Sequence, residues 1–444
     1  MQREISLSDH FTYGRLFRFA LPSVVMMVFT SIYGVVDGYF VSNFVGKTPF
    51  AAVNLIMPYL MILGTLGFMF GAGGSALVGK TLGEGDRPRA NAIFSLLVYA
   101  SLALGILVTA VGILVLRPVA ALLGAEGEML ENCVTYGRII LLALPAFMLQ
   151  LEFQIFFVTA ERPRLGLIFT VVAGVTNMVL DALLVGILSL GLVGAALATA
   201  LSQVVGGVGP FIYFAMKNGS LLRLGRTRLM ISPILRSLFN GSSELMSNVS
   251  MSLVGMLYNL RLIAYAGEDG VAAYGVLMYV NFIFVSAFIG YTIGISPIIS
   301  YHFGADNRPE LSNLRKKSVS AVLISSLAMF ISAILLARPL ASVFVGYDAA
   351  LLAMTVRGFY IFSLSFLFAG LSILGSAFFT ALNNGLVSGV MSFLRTLVFQ
   401  TAAVLLLPIA LGLDGIWLSI VVAELCAASV CVLLLVCLRK RYGY

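Results

Sequence analysis

Residues 91–116 read NAIFSLLVYASLALGILVTAVGILVL, an apolar run without a single charged side chain. A helix needs about 20 mostly apolar residues to cross a bilayer, so this run predicts a transmembrane helix. Of all 444 residues, 60% are hydrophobic and 10% are charged, whereas soluble domains carry about 25% charged residues. The composition therefore excludes a large soluble globule and indicates an integral membrane protein.

Eleven further apolar runs alternate with short polar stretches. They are continuously apolar rather than alternating, which favours a helical bundle over a β-barrel. We therefore predict an all-α integral membrane protein with twelve transmembrane helices, at approximately residues 16–45, 50–79, 91–116, 129–159, 164–189, 191–216, 232–265, 270–301, 318–338, 350–380, 386–411 and 413–438. Four Cys and two His offer little material for a disulfide framework or a metal centre, and we expect no cofactor.

Basic residues set the orientation of this bundle. With twelve spans both termini share one side, and that side holds 20 of the 27 Lys and Arg residues. The positive-inside rule then predicts a multi-pass protein of the plasma membrane with both termini in the cytoplasm. The net charge of +8 is explained by these loops, so we expect the lipid bilayer, and no nucleic acid, as its partner. We expect a monomer.

The chain also repeats itself at an offset of 221 residues. Residues 46–52 align with 267–273 without a gap, and Arg117-Pro118 aligns with Arg338-Pro339. One register that matches Gly, Pro and Arg from end to end is hard to obtain by chance. Each copy holds six helices, an even number, so both copies cross the membrane in the same direction, as in parallel transporter repeats.

The repeat predicts the domain organisation: an N-terminal six-helix bundle over residues 1–216, a basic cytoplasmic linker over 217–231 and a C-terminal six-helix bundle over 232–444. Two equivalent bundles around a central cavity can rock to give alternating access. A purely structural duplication is the alternative.

Acidic residues inside the spans are candidate functional sites, because a carboxylate at mid-membrane costs several kcal/mol. Asp37 and Asp181 each lie eight residues before the outer end of their helix, roughly 12 Å below the outer surface. Thr199 reaches the same level from the opposite direction, and Asn177 lies one helical turn from Asp181. These four residues form the predicted ion-coupling cluster.

Two chemistries suit this cluster. Hard oxygen ligands fit a small cation such as Na+. Alternatively, two adjacent carboxylates in a low dielectric cannot both stay ionised cheaply, so the pair would carry a proton. A polar network that only orients the helices is the structural alternative.

The repeat places the cluster in one half only. Asp37, Asn177 and Asp181 align with Tyr258, Val398 and Ala402. A structural role should have survived in both copies, so the asymmetry favours ion coupling by the N-terminal bundle.

Three further acids lie inside predicted spans. Glu244 is alone near the middle of the seventh span, where it could meet a cationic substrate or serve helix packing. Glu424 has small neighbours, and we interpret it as a helix-packing residue. Glu152, between Gln150 and Gln154, could line an inner vestibule.

Several stretches resemble the multidrug and toxic compound extrusion (MATE) transporters, and in particular their MepA-like subgroup. They cover essentially the whole chain: residues 20–22 (ALP), 33–41 (YGVVDGYFV), 177–181 (NMVLD), 240–244 (NGSSE), 258–259 (YN), 267–273 (GEDGVAA) and 297–305 (PIISYHFGA).

The resemblance implies export of lipophilic, cationic drugs and dyes in exchange for inward Na+ or H+. It implies coupling through positions matching Asp37, Asn177, Asp181 and Thr199, and through Tyr136, which could otherwise be an interfacial tyrosine. Pro22 matches the family proline that bends the first helix. We assign Glu244 and Tyr33 to substrate binding.

Two other functional hypotheses compete with that of a drug exporter. A lipid-linked oligosaccharide or lipid flippase of the same wider superfamily is the nearest alternative, but such proteins commonly have a basic cavity, whereas the buried charges of the first bundle are mainly acidic. A membrane-embedded enzyme is disfavoured, because there is no H-E-x-x-H motif and no nucleophile is paired with a base.

Overall fold

The structure, a computed structural model, describes residues 5–444 apart from the side chains of Val35 and Lys47. The first half contains α1 Tyr13–Phe40, α2 Lys47–Gly83, α3 Arg87–Leu122, α4 Gly127–Thr159, α5 Pro163–Leu180 and α6 Gly191–Ala215. The second half contains α7 Ile231–Asn240, α8 Ser242–Gly304, α9 Arg308–Val345, α10 Ala349–Phe362, α11 Phe366–Ala381, α12 Gly385–Phe393, α13 Gln400–Leu411, α14 Leu413–Cys437 and α15 Arg439–Tyr442. We refer to residues 5–216 as the N half and to residues 231–444 as the C half.

Eleven continuous helical stretches of the described chain are long and apolar enough to cross a membrane. One of them, α8, runs for 63 residues and breaks at Gly267, whose φ of 61° and ψ of −150° are not helical. At about 1.5 Å per residue, α8 is far too long for one crossing. The break makes it two spans, so the twelve predicted crossings and the all-α fold are confirmed.

The predicted helix boundaries were wrong at two places. α3 extends over Arg87–Leu122 and α9 over Arg308–Val345, beyond the predicted 91–116 and 318–338. Hydropathy detects only the apolar part of a helix, whereas the charged first turns are also helical. Pro at the first turn and an Asp or Asn cap stabilise both helix starts.

The first described residues and the C-terminus lie at one end of the molecule, beside the start of α9. The backbone N–H of Phe11 donates to Glu310 at 2.9 Å, and Gly443 packs against Arg308. We refer to this end as the termini end and to the other as the opposite end. Residues 217–230 contain no helix and run along α3, where Asn91 accepts a hydrogen bond from the backbone of Arg223 at 2.6 Å.

The two halves share a hydrophobic core at the termini end only. One cluster of buried apolar residues there draws on both halves, from Leu7 to Tyr444. Towards the opposite end, one cluster lies wholly in the N half, between Val41 and Ala196, and another wholly in the C half, between Val254 and Trp417. The halves are therefore joined at the termini end and separate at the opposite end.

Glycines make the close contact at the termini end possible. A Cβ on Gly83 of α2 would collide with the backbone of Tyr301, and one on Gly304 of α8 would collide with the backbone of Lys80. By contrast, a Cβ on Gly38 of α1 would meet open space. The structure is thus a two-part helical bundle that is closed at one end and open at the other.

Candidate ion-coupling site

The four predicted cluster residues meet inside the N half. Thr199 of α6 donates a hydrogen bond from Oγ1 to Asp37 Oδ1 at 3.2 Å, and Asn177 Nδ2 donates to the same threonine oxygen at 3.5 Å. The carboxyl groups of Asp37 and Asp181 lie within hydrogen-bonding reach of each other. The structure therefore brings together residues of α1, α5 and α6 that are up to 162 positions apart in the chain.

A local irregularity of the backbone positions Asp181. At this residue α5 changes into a π-helical turn, Asp181–Ile187. Turns of this kind widen the helix and often occur at functional sites. A second π-helical turn, Val41–Val45, directly follows α1 shortly after Asp37. Both carboxylates therefore lie next to helix segments whose hydrogen bonding departs from the regular pattern.

Neither carboxylate of the pair forms an ion pair with any of residues 5–444. Asp181 is 0% exposed, and neither of its oxygens accepts a hydrogen bond from a donor among the described residues; the same is true of Asn177 Oδ1. α1 has no basic residue between Arg18 and its end, and the chain has none between Arg164 and Lys217. Buried charges without partners are costly. This group of oxygens suits a small cation or a shared proton.

Tyr136 belongs to this site. Its side chain is 1% exposed and its hydroxyl lies beside Thr199. A tyrosine in this position is inside the N half and not at the membrane interface. Of the two interpretations that the sequence allowed, the structure thus favours a residue of the polar network.

Tyr33 lies one helical turn before Asp37 on α1. Its ring lies against the position that a Cβ on Gly174 would occupy, and its hydroxyl lies beside Gln150 of α4. These contacts place Tyr33 in the N half together with the coupling residues. Its predicted role in substrate binding stays a prediction.

Glu244 lies in the other half of the molecule, on the first turn of α8. Its side chain is half-buried, and its carboxylate has neither an ion pair nor a hydrogen bond with any of residues 5–444. An acid without a partner in a membrane-spanning helix can bind a cation, which is the role that the sequence predicts.

Pro22 lies inside α1, at the level where the halves touch. A Cβ on Gly290 of α8 would collide with the backbone of Ser23, and one on Gly294 would collide with that of Ala20. The predicted bend at Pro22 would therefore move the part of α1 that packs on the C half.

Glu424 forms an ion pair that sequence reasoning missed. Arg395 donates from Nε to both carboxylate oxygens, at 3.0 and 2.9 Å, and Glu424 is 2% exposed. The interpretation of Glu424 as a simple packing residue is thus incomplete. The sequence did contain an indication of this ion pair, because Arg395 is a basic residue within a predicted span of the same half.

Glu152 does not line a vestibule in this structure, and its assignment to an inner vestibule stays a prediction. The side chain is 0% exposed and faces the packed interior between α2, α3 and α4. Gly71 of α2 lets the two helices approach so closely that a Cβ there would lie 3.2 Å from Glu152 Cα. The close approach of α2 at this glycine helps to enclose the acid.

Comparison with known proteins identifies the class. The MatE family model matches residues 22–183 and 245–405, once in each half. The chain belongs to the MatE family of membrane transporters, which confirms the resemblance seen in the sequence, and it is a multi-pass membrane protein.

Among similar proteins is the multidrug export protein MepA of Staphylococcus saprophyticus, 27% identical over 96% of this chain and 94% of its own. MepA of Staphylococcus aureus strain MRSA252 is 26% identical over 97% of this chain and 94% of its own.

Two solved structures show the same fold. A MATE protein in complex with MaL6 covers 100% of this chain and 99% of its own, with a TM-score of 0.92 and 22% identity. An outward-facing multidrug resistance MATE transporter covers 100% and 98%, with a TM-score of 0.92 and 23% identity.

Proposed function

We propose that this protein is a monomeric secondary antiporter of the plasma membrane that exports lipophilic cations in exchange for inward Na+ or H+. The observation that carries this proposal is the pair of a half-buried Asp37 and a fully buried Asp181 in the N half, which form no ion pair with any of residues 5–444. Such a pair binds its ion tightly only while the packed helices keep water away from the carboxylates. Ion occupancy and helix packing therefore depend on each other.

The contact between the halves supports alternating access. The shared hydrophobic core exists only at the termini end, while the cluster lies near the opposite, open end. If each half moves as a rigid bundle, closing the open end requires the termini end to separate. The glycine contacts between α2 and α8 are the surfaces that would part.

The distribution of basic residues supports an orientation with both termini in the cytoplasm. The termini end holds most of the Lys and Arg side chains, including those of residues 217–228. The open end then faces the outside of the cell, where the coupling ion enters. This arrangement is an outward-facing state.

The substrate class rests on charge and on the relatives. Glu244 is an acid without a partner in the C half, on the opposite side of the interface from the coupling cluster. The two relatives named above are multidrug export proteins. A cation that is also lipophilic fits an acid surrounded by membrane-spanning apolar helices.

A transport assay tests the proposal. The purified protein is reconstituted into liposomes loaded with ethidium, and a Na+ gradient and a proton gradient are imposed separately. We expect one gradient to drive ethidium movement and Asp37→Asn to abolish it, because the amide keeps the size of the side chain and removes its charge. Asp269→Asn, at an exposed acid near the opposite end, is the matched control and should transport normally.

Two outcomes would contradict the proposal. Full coupled transport by both Asp37→Asn and Asp181→Asn would remove the cluster from the mechanism. No ethidium movement under either gradient would favour the flippase alternative, and lipid-linked substrates would then be tested in the same liposomes.

A further inference from the structure

Glu152 is a buried acid that the coupling cluster does not use. It lies on α4, seven residues before the helix ends at Thr159, which is roughly 10 Å from the termini end. Tyr136 on the same helix marks the level of the cluster, sixteen residues or roughly 24 Å away. The N half therefore contains acidic groups near both of its ends.

The surroundings of Glu152 offer it no counter-charge. α2 has no Asp, Glu, Lys, Arg or His from Thr48 to Gly79, and α3 has none from Ala90 to Leu116. On α4 itself, Glu152 is the single such residue between Arg138 and Glu161. Neither carboxylate oxygen accepts a hydrogen bond from any described residue.

Few polar groups come near the acid. The hydroxyl of Ser101 on α3 lies beside it, is fully buried and has no hydrogen-bond partner among residues 5–444. The neighbouring polar side chain of α4, Gln154, points away, because it donates to Thr170 of α5 at 3.2 Å. Ser75 of α2 is paired with Thr159 at 2.8 Å.

An ionised carboxylate in this position would lack both water and a cation. Such a group costs several kcal/mol even after the protein relaxes. As a neutral acid, Glu152 has one O–H donor, which the free Ser101 oxygen can accept. One carboxyl and one hydroxyl are too few ligands for a Na+ ion, which prefers a shell of several oxygens.

We propose that Glu152 is a second proton-binding site of the N half, which holds its proton while the termini end is closed and exchanges it with water when that end opens. In this exchange, the carboxylic acid releases a proton to water and becomes a carboxylate, and the reverse step restores it. The bound proton follows from the packing alone; the exchange rests on the alternating access proposed above.

The position of Gly71 explains why exchange would follow opening. This glycine of α2 seals Glu152, and two residues later Gly73 lies against Ser237 and Gly241 of the C half. The same turn of α2 therefore covers the acid and forms the contact between the halves. Separation of the halves would loosen this turn and admit water to the acid.

The repeat shows that packing alone does not require an acid here. Glu152, Ser101 and Gly71 align with Ile373, Val322 and Thr292 in the C half. Ile373 and Val322 are buried hydrophobic residues of the shared core. The equivalent helix crossing is thus filled by apolar side chains, which makes Glu152→Ile a natural structural control.

Infrared spectroscopy tests the bound proton directly. In purified protein at neutral pH, a protonated carboxyl gives a C=O stretching band that an ionised one lacks. We expect a band that shifts in D2O, disappears in Glu152→Gln and Glu152→Ile, persists in Asp37→Asn, and moves in frequency in Ser101→Ala. Identical spectra for wild type and both Glu152 variants would overturn the proposal, whether or not the protein transports ethidium.

A flux measurement tests the exchange. Proton and ethidium fluxes are measured together in liposomes. The number of protons exchanged per ethidium transported should be lower by one in Glu152→Gln than in the wild type. An unchanged ratio, in a variant whose infrared band is lost, would show that the proton is static and would overturn the exchange. Because the band is read without transport, failure of the antiport function and failure of this inference remain distinguishable.

Discussion

The two halves of the molecule match where they touch each other and differ in their interiors. At the termini end, α2 presents Lys80 and Gly83, and α8 presents Tyr301 and Gly304 at the positions related by the 221-residue repeat. Each glycine faces the backbone of its counterpart helix. The contact is therefore close to two-fold symmetric.

The interiors have diverged at the level of the coupling cluster. Where the N half has Asp37, the C half has Tyr258, which stacks on Tyr274 at 5.1 Å between ring centroids. The buried acid of the C half, Glu424, is neutralised by Arg395. At the positions of the N half that align with Glu424 and Arg395, the chain has Gln203 and Gly174.

This difference has a physical reason. A surface that packs on its own copy constrains both copies, because a change in one must fit the other. The interior of each bundle has no such partner. At the level of the coupling cluster, one interior could therefore keep uncompensated acids that respond to an ion, while the other acquired the stacked tyrosines and the paired acid Glu424. Four sets of substitutions test this difference between the halves.

The largest effect is expected from the ion pair of the C half. Glu424→Gln leaves Arg395 without its counter-charge in a membrane-spanning helix, so we expect a loss of about 3 kcal/mol in the free energy of unfolding. Thermal unfolding in detergent measures it. The double variant Arg395→Met with Glu424→Leu should recover most of the loss. A double variant as unstable as the single one would mean that the C half needs the charges themselves.

A smaller effect is expected at the symmetric contact. Gly83→Ala and Gly304→Ala each push a methyl group into the facing backbone, which costs about 2 kcal/mol by overpacking. Both should increase the labelling of Ser300→Cys, a buried interface position, by a water-soluble maleimide. Gly275→Ala, whose Cβ meets open space, is the control. Strongly unequal effects of the two glycines would contradict the symmetry of the contact.

The third test concerns the segment that precedes α1. His10 and Phe11 lie on α9, where Glu310 accepts from His10 Nδ1 at 2.6 Å and Lys317 donates to the Phe11 carbonyl at 2.6 Å. Glu310→Ala removes one charged partner, so we expect docking of this segment to weaken by about 1 kcal/mol. Limited proteolysis before residue 13 should become faster. Glu84→Ala, at an exposed ion pair, is the control, and equal cleavage rates would show that Glu310 does not hold the segment.

The smallest effect is expected from two tyrosines at similar depth in the membrane, Tyr258 in the C half and Tyr136 in the N half. The Tyr258 hydroxyl has no hydrogen-bond partner among the described residues, so Tyr258→Phe should change stability by less than about 0.5 kcal/mol and leave transport intact. Tyr136→Phe removes the same atom beside Thr199, and we expect a several-fold loss of ethidium transport. Equal transport by both variants would remove Tyr136 from the coupling network.

Much of this architecture was predictable from the sequence because its determinants are local. Continuous apolar runs are found without knowledge of their neighbours, and the 221-residue register is a comparison of the chain with itself. Asp37, Asp181 and Thr199 were predicted to lie close together because they have the same depth in the membrane. Depth can be calculated from residue number, since each residue adds a fixed rise along a helix. The ends of α3 and α9 escaped this reasoning, because hydropathy does not report the charged turns of a helix.

The membrane bundle, its twelve crossings, its duplication and the level of its acidic cluster could all be predicted from the order of the residues. Which acids are compensated and which end is closed became visible only in the folded molecule, because a helix that is apolar all round gives no sign of the face it turns to each neighbour. That rotation places Glu424 against Arg395, seals Glu152 beneath Gly71, and leaves Asp181 facing Asp37 without a counter-charge.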